Sequence, residues 1–259
     1  MFSPSLRYLF PSAAATIARV RRRFFVDQFN GDTAIIAGDT AHHLGRVLRA
    51  QTGQLYELSD GQQVRLGRIE MIARDRVDFV LLEDIPAHQP KLDVTLLLSV
   101  VKFEAFEWAL EKATELAVST IVPLAAERSE KALLAASTKR ADRWNKILVE
   151  ASQQSRRVRL PIMQAVAQPA RAFGGYPDVA VKIMLSERAD ALPLNQVLPV
   201  DSWRTQAMLA IGPEGGWTDA EFAAARASGF REASLGKLIL RTETAVIAAL
   251  ASINYALSE

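Results

Sequence analysis

The chain has 259 residues, a formal net charge of +2 and no cysteine, which excludes disulfides, thiolate nucleophiles and cysteine-ligated metal sites. No apolar run reaches the ~18–20 residues of a membrane helix, so we expect no membrane span. Histidines are few, and the two adjacent ones project in different directions, so we expect no metal site.

The first segment, residues 1–22, carries arginines, serines and alanines but no acidic residue. Such a composition is typical of an organelle transit peptide. A stretch upstream of the true start and a disordered tail fit as well, and the sequence leaves these interpretations open. A chain without cysteine otherwise fits a reducing compartment, and we expect a cytoplasmic location.

Residues 23–84 contain short β-prone segments separated by glycine and aspartate, a pattern that predicts a small barrel or sandwich. The predicted strands are Ala34–Ile36, Gln54–Leu58, Val64–Glu70 and Val77–Leu82. One helix interrupts them after Asp39 or Thr40, either of which can cap it. Its predicted apolar stripe is Leu44, Val47 and Leu48, and its predicted basic ridge is His43, Arg46 and Arg49.

Residues 85–92 contain two prolines within five residues, which block both helix and sheet and predict a linker. Beyond it, residues 93–259 alternate apolar runs with amphipathic segments. Strands that are apolar on both faces are typical of parallel sheets covered by helices, so we predict an α/β domain. The predicted strands are Val94–Val101, Thr120–Leu124, Val179–Leu185 and Ala207–Ile211, and the predicted surface loops are Pro169–Pro177 and Leu192–Arg204.

The strongest local signal is Gly212–Gly216 (GPEGG), which follows an apolar strand and precedes the capping box Thr218–Glu221. Glycines let backbone amides approach a ligand closely, and ligands of α/β sheets bind at the carboxyl ends of strands. The spacing excludes a P-loop, which needs Lys-Ser/Thr after its last glycine, and a dinucleotide fingerprint, which needs G-x-G-x-x-G. A tight turn without a ligand is the alternative.

A second segment, Leu235–Ala245 (LGKLILRTETA), runs from a strand-like end into an alanine-rich helix. Taken alone, its Arg241 and Glu243 suit an ordinary ion pair as well as an active site. Other motifs are HHLGRVLR at 42–49, EKATELAV at 111–118 and EASQQSRR at 150–157. With GPEGG and in this order, they resemble the SPOUT methyltransferases, in particular the RsmE family, which methylates N3 of a uridine in small-subunit (16S) ribosomal RNA.

The resemblance covers residues 23–259 and implies a PUA-like β-barrel at 23–84 and a SPOUT domain with a trefoil knot at 93–259. It also implies that S-adenosylmethionine binds in the knotted loops, mostly through backbone groups. Transferred by position, the cofactor-binding residues are Leu185, Ser186, Glu187, Ile211, Gly212, Pro213, Glu214, Gly215, Gly216, Leu235, Gly236, Leu238, Leu240 and Arg241.

In the implied reaction, uridine N3 attacks the sulfonium methyl and must lose its proton, which spreads negative charge onto the flanking carbonyl oxygens. A fixed arginine beside those oxygens would stabilise the charge, and Arg241 is the candidate. Glu243 and Glu214 are the candidates for accepting the proton, although a glutamate needs a raised pKa to serve well.

The resemblance further implies a homodimer, in which the small residues Ala245, Ala248, Ala249 and Ala251 would let the last helix pack against a second copy. Arginine groups favour a polyanionic partner, here ribosomal RNA or the small ribosomal subunit. The candidate RNA-binding residues are Arg22, Arg23, His43, Arg46, Arg49, Lys102, Arg128, Gln154 and Arg157. The alternatives are a SPOUT methyltransferase for another RNA position and a non-catalytic RNA-binding protein.

Overall fold

The computed structural model describes residues 22–87, 89–90, 92–198 and 206–257. The chain divides into two units, and their boundary lies between residues 88 and 89. This boundary falls inside the segment that the sequence predicts as a linker. The predicted extension, residues 1–22, lies outside the described residues except for its last member.

The N-terminal unit is built on a five-stranded sheet with the order β1-β3-β4-β5-β2. Its strands are β1 (Arg23–Phe25), β2 (Thr33–Ala37), β3 (Leu55–Ser59), β4 (Val64–Ile72) and β5 (Arg76–Asp84). Neighbours are antiparallel except for β1 and β3. Buried and exposed residues alternate along β2 and β5, so one face packs on a core that includes Phe24, Leu58 and Phe79. The four predicted strands are confirmed.

The predicted helix between β2 and β3 consists of α1 (Gly38–His42) followed by a π-helical turn, His43–Val47. In a π-helical turn the backbone hydrogen bonds join residues five apart, so the turn is wider than in an α-helix. The wider turn changes which side chains share a face. Leu44 is fully buried, whereas Val47 is 64% exposed, and the prediction that Val47 belongs to the apolar stripe is wrong.

The C-terminal unit contains a seven-stranded sheet in its described part, with the order β10-β12-β9-β11-β6-β7-β8, and all neighbours are parallel. The strands are β6 (Asp93–Ser99), β7 (Thr120–Leu124), β8 (Ile162–Met163), β9 (Val181–Leu185), β10 (Leu192–Pro193), β11 (Gln206–Ile211) and β12 (Arg231–Ser234). The helices are α2 (Phe103–Glu115), α3 (Lys131–Ser137), α4 (Ala141–Gln154), α5 (Pro169–Gly174), α6 (Leu194–Val197), α7 (Asp219–Ala227) and α8 (Thr242–Leu257). The predicted parallel α/β fold is confirmed.

Helices cover both faces of this sheet. On one face α2, α4 and α8 share a core that includes Leu98, Phe106 and Leu250. On the other face α5 and α7 share a second core around Phe173 and Phe222. Because both faces are covered, β9 is buried along its whole length, which explains the continuous apolar runs in the sequence.

The two segments predicted as surface loops contain short helices instead. The first holds α5, which buries Ala172 and Phe173, and the second holds α6, which buries Leu194 and Val197. Neither helix is longer than six residues. Such helices are too short to show a helical period in the sequence, so their apolar contacts could not be recognised.

Candidate functional site

Three loops at the carboxyl ends of adjacent strands surround one cavity of about 630 Å³. They follow β9, β11 and β12, which are neighbours in the order β12-β9-β11. In a parallel sheet the carboxyl ends of the strands lie at the same edge, so the loops that follow them converge. A cavity of this volume suits a small-molecule ligand.

All the residues that the sequence predicts for the cofactor site line this cavity. They come from Leu185–Glu187 after β9, Ile211–Gly216 after β11 and Leu235–Arg241 after β12. Several lining residues were not predicted as cofactor residues: Arg128, Arg188, Trp217, Phe222, Ser234, Lys237, Ile239, Thr242 and Ala245. Most of these lie beside predicted positions in the chain, whereas Arg128 comes from the loop after β7.

The glycines after β11 are required by packing and by backbone geometry. A Cβ on Gly212 would lie 3.0 Å from the indole ring of Trp217, and a Cβ on Gly215 would lie 3.3 Å from the Cβ of Arg128. Gly216 has a φ of +70°, in the left-handed region that favours glycine. The loop can therefore pack against Trp217 and Arg128 with this backbone geometry only because it lacks side chains at these positions.

Two side-chain hydrogen bonds tie this loop to its neighbours. The indole N–H of Trp217 donates to the carbonyl oxygen of Leu185 at 3.1 Å and joins the loops after β11 and β9. The guanidinium of Arg128 donates to the carbonyl oxygen of Gly215 at 2.8 Å and joins the loops after β7 and β11. Both acceptors are backbone carbonyls, so these bonds fix the course of the main chain.

The helix after the glycine loop begins with the predicted capping box, which is confirmed. The amide of Glu221 donates to the Thr218 hydroxyl at 3.3 Å, and the amide of Thr218 donates to the Glu221 carboxylate at 2.8 Å. Gly229 follows the end of the helix with a φ of +86°, the left-handed conformation that is typical of a glycine after a helix.

The mouth of the cavity combines charged groups with exposed apolar side chains. Arg241 and Glu214 line the cavity and are exposed. Leu238 and Ile239, from the third loop, are 83% and 81% exposed. Adjacent apolar side chains exposed to this degree are typical of a surface that a partner or a ligand covers.

The third candidate for chemistry, Glu243, is absent from the described lining of the cavity. It lies in the first turn of α8 and is 9% exposed. Successive residues of an α-helix point about 100° apart, so Glu243 faces away from the direction of Thr242, which lines the cavity. The structure therefore brings Arg241 and Glu214 to one cavity and leaves Glu243 outside it.

The candidate RNA-binding residues differ in accessibility. Those with exposed side chains are Arg22, His43, Arg46, Arg49, Lys102, Arg128 and Gln154. Arg49 lies beyond the π-helical turn and has a φ of +50°, so it does not continue the helix. The prediction of one basic ridge on a single helical face is therefore wrong, although its three side chains are exposed.

Arg23 is a buried structural residue. Its Nη2 and Nε donate to Oε2 of Glu57 at 2.8 and 3.0 Å, and the exposed fractions of the two side chains are 6% and 2%. The two residues are direct partners in the pairing of β1 with β3. The prediction that Arg23 contacts RNA is corrected, because its guanidinium is enclosed with a carboxylate inside the unit.

Arg157 is also largely enclosed. Its guanidinium donates to the carbonyl oxygens of Thr114 at 2.8 Å and of Arg159 at 3.1 Å. Burial, together with the smaller effect of the positive charge of Arg159, lowers its pKa to about 10, yet Arg157 stays protonated at neutral pH. A cation suits the last turn of α2, where Thr114 lies, so the predicted RNA contact is replaced by a capping role.

None of the described helices is long and apolar enough to cross a membrane. In the same part of the chain, no group of three or more histidine and acidic side chains could hold a metal ion.

The chain matches the family model for an RNA methyltransferase domain over residues 88–254. It is 36% identical over 220 residues to ribosomal RNA small subunit methyltransferase E of Synechocystis sp.. The aligned residues cover 82% of this chain and 70% of that protein. This chain belongs to the RsmE family of SPOUT RNA methyltransferases. The RsmE protein of Aquifex aeolicus is 28% identical over 229 residues, covering 86% of this chain and 95% of that protein.

Among solved structures, the RsmE protein of Neisseria gonorrhoeae bound to S-adenosyl methionine superposes with a TM-score of 0.82 at 28% identity. The superposition covers 92% of this chain and 98% of that one. The matched family domain, residues 88–254, contains all three cavity loops. RsmE methyltransferases use S-adenosylmethionine, and the glycine loop described above lies in the part of the chain that carries the family match.

Proposed function

We propose that this RsmE chain transfers a methyl group from S-adenosylmethionine to N3 of a uridine in small-subunit ribosomal RNA. The convergence of three strand-end loops on one glycine-walled cavity, with Arg241 at its mouth, carries the proposal. The relatives from Synechocystis and Aquifex are named as methyltransferases of the same RNA. A SPOUT enzyme acting on another RNA position is the competing assignment, and the target nucleotide separates the two.

The cavity fits S-adenosylmethionine. Gly212, Gly215 and Gly216 line the cavity and, having no side chains, can offer only backbone to a ligand. Ile211, Leu238 and Leu240 line the same cavity and offer apolar surface for the adenine base of the cofactor. The residues that would hold the cofactor are those of the three loops, Leu185–Glu187, Ile211–Gly216 and Leu235–Arg241. When bound, the cofactor supplies an electrophilic methyl group on a positively charged sulfur.

The residues at the mouth act on the uridine. As N3 loses its proton, negative charge spreads onto the two flanking carbonyl oxygens of the base, and the guanidinium of Arg241 stabilises that charge. Glu214, which lines the same cavity, accepts the proton directly or through water. Glu243 is the alternative acceptor, but its position outside the cavity lining argues against it.

The RsmE assignment also includes a trefoil knot in the C-terminal unit and a PUA-like barrel in the N-terminal unit. The strand order β12-β9-β11-β6-β7 supports the knot, together with the third loop, which leads directly into α8. From α8 the side-chain amide of Asn254 donates to the carbonyl oxygen of Leu116 at 2.9 Å, beyond the end of α2. The five-stranded sheet with the order β1-β3-β4-β5-β2 and one inserted helix supports the barrel.

The protein acts as a homodimer in this proposal. Leu238 and Ile239 at the mouth and Tyr255 on α8 are strongly exposed in the single chain. Covering them with a second copy would also exclude water from Arg241, which strengthens its interaction with a developing charge. Of the alanines predicted for this contact, Ala251 is exposed, whereas Ala249 is fully buried in the core of its own chain and does not belong to it.

RNA is held mainly through phosphate contacts, which require exposed cations. In the N-terminal unit these are Arg22, His43, Arg46 and Arg49, and in the C-terminal unit they are Lys102 and Arg128, with Gln154 as a polar contact. A ribosomal RNA substrate supports a cytoplasmic location.

Mass mapping of ribosomal RNA tests the assignment. A strain that lacks the gene is compared with the same strain carrying the wild-type chain or the Arg241→Ala variant. We expect one N3-methyluridine of the small-subunit RNA to disappear on deletion and to return only with the wild type. An unchanged map, or the loss of a different modification, would contradict the N3 assignment.

Arg241 is tested with purified protein. We expect Arg241→Ala to lower kcat by about 100- to 1000-fold, as for the loss of one group that stabilises transition-state charge. Calorimetry with S-adenosylmethionine is the control, because the variant must still bind the cofactor for the result to concern chemistry. A non-catalytic RNA-binding protein predicts instead that the wild type does not bind the cofactor. Normal turnover by the variant would remove Arg241 from the mechanism.

A further inference from the structure

A buried carboxylate outside the cavity joins two of the loops that shape it. Glu221 is 8% exposed and is absent from the described lining of the cavity. Its Oε1 accepts a hydrogen bond from the backbone amide of Glu127 at 2.9 Å. Its Oε2 accepts from the amide and the hydroxyl of Thr218 at 2.8 and 3.0 Å. One carboxylate thus fixes the loop after β7 to the start of α7.

The loop after β7 makes a second contact, this time with the glycine loop itself. Arg128 directly follows Glu127, and its Nη1 donates to the carbonyl oxygen of Gly215 at 2.8 Å. Its Cβ also lies within 3.3 Å of the position that a Cβ of Gly215 would occupy. Two consecutive residues of one loop are therefore attached to the two ends of the segment that runs from Gly215 to Glu221.

These contacts matter because the glycine loop has little conformational preference of its own. Adjacent glycines populate many backbone states, and binding a ligand in one of them costs conformational entropy. If only a fraction of the molecules hold the loop in the binding conformation, the apparent affinity is reduced by that fraction. Fixing the loop in this conformation before the ligand arrives restores the full affinity. Hydrogen bonds to ionised groups, as at Arg128 and Glu221, are stronger than neutral ones and suit this task.

We propose that Glu221 and Arg128 are positioning residues that hold the glycine loop ready for S-adenosylmethionine. Glu221 fixes the loop that carries Arg128, and Arg128 fixes the carbonyl group of Gly215. The inference rests on the proposed cofactor site. It gives Arg128 a role that needs no RNA, in contrast to the phosphate contact that its exposure and charge suggest.

Calorimetry of S-adenosylmethionine binding to the full chain without RNA tests the inference. We expect Arg128→Ala to bind about tenfold more weakly, the cost of one charge-assisted hydrogen bond, with an unchanged melting temperature. Glu221→Gln, which keeps the shape but loses one acceptor, is expected to weaken binding about threefold or more. Because Glu221 does not line the cavity, its effect must pass through the loops.

The double variant and a matched control make the test specific. If the two residues act in series, Arg128→Ala with Glu221→Gln binds no more than about twofold more weakly than Arg128→Ala alone. Independent actions would multiply the two losses. Glu130→Gln removes an exposed carboxylate from the same loop after β7 and is expected to stay within about twofold of the wild type.

The outcomes separate this inference from the proposed function. A wild type that does not bind S-adenosylmethionine contradicts the proposed cofactor site and the inference with it. A wild type that binds, together with Arg128→Ala of equal cofactor affinity and weaker RNA affinity, overturns the inference alone. If Glu221→Gln does not fold, variants of the exposed Arg128 still test the inference. Arg128→Lys keeps the charge but loses the guanidinium geometry. Compared with Arg128→Ala, it is expected to restore RNA affinity more than cofactor affinity.

Discussion

The two units of this RsmE protein present their candidate functional groups in different ways. The cavity of the C-terminal unit is lined mainly by three loops, one of them rich in glycine, whose positions follow from the parallel sheet that carries them. The candidate groups of the N-terminal unit are basic side chains around a mostly antiparallel sheet. The residues of the cavity loops can therefore be predicted together from their positions in the motifs. Whether an arginine is available to RNA depends instead on its own surroundings.

Arg23 and Arg46 show this difference within one unit. Both belong to arginine groups that predict a polyanionic partner. Arg23 is buried against Glu57, whereas Arg46 on the π-helical turn is exposed. Charge in the sequence is identical in the two cases, and only burial separates a structural ion pair from a residue that can meet RNA.

The largest effect is expected from Arg23→Ala, which leaves the carboxylate of Glu57 buried without its cation. We expect a loss of about 3–5 kcal/mol in the free energy of unfolding, measured by urea denaturation. Arg68→Ala is the control, because its pair with Glu70 is solvent-exposed and worth less than about 1 kcal/mol. Arg23→Met combined with Glu57→Leu should recover much of the stability. Unchanged unfolding with weakened RNA binding would restore Arg23 to the RNA-binding group.

A smaller effect is expected from Gly212→Val in the cavity wall. Its Cβ would lie 3.0 Å from the Trp217 ring, and the two further methyl groups must displace the ring or the loop. We expect S-adenosylmethionine to bind about 30- to 100-fold more weakly, or about 2–3 kcal/mol, by calorimetry. Gly174→Ala is the control, since no atom lies within 4 Å of the added Cβ. Equal cofactor affinity in Gly212→Val would show that the site does not depend on its backbone wall.

The smallest effect is expected from Arg46→Ala. One phosphate contact fewer should weaken RNA binding several-fold, or about 1 kcal/mol, and should reduce the slope of log affinity against log salt by about 1. Arg76→Ala, in the same unit, removes a cation that is paired with Asp78 at 2.7 Å and should change the slope less. If both variants change the slope equally, the N-terminal unit attracts RNA through its overall positive charge, and Arg46 makes no specific phosphate contact.

Much of the fold could be predicted because its signals are local. Continuous apolar runs predict the parallel strands, and the capping box at Thr218 predicts the start of α7 to the residue. The π-helical turn and the two short helices could not be predicted, because each is much shorter than the stretch of about 11–18 residues over which a helical period can be recognised.

The candidate site divides in the same way. Two of its three loops lie in motifs that stand out in the sequence, and the third, Leu185–Glu187, was expected only from the family resemblance. The contacts that organise these loops join distant parts of the chain. Trp217 meets the carbonyl of Leu185 across 32 residues, Arg128 meets the carbonyl of Gly215 across 87, and Glu221 meets the amide of Glu127 across 94. No local pattern contains such pairs, because they form only when the strands are assembled.

The glycine wall also limits how the cavity can be redesigned. Enlarging a pocket usually means trimming a side chain, but Gly212, Gly215 and Gly216 have nothing left to trim. A bulkier analogue of the methyl donor would therefore require a longer loop after β11, with the Trp217 hydrogen bond kept as its anchor. The mouth is the adjustable part, because Leu238 and Ile239 carry side chains that can be shortened without touching the core.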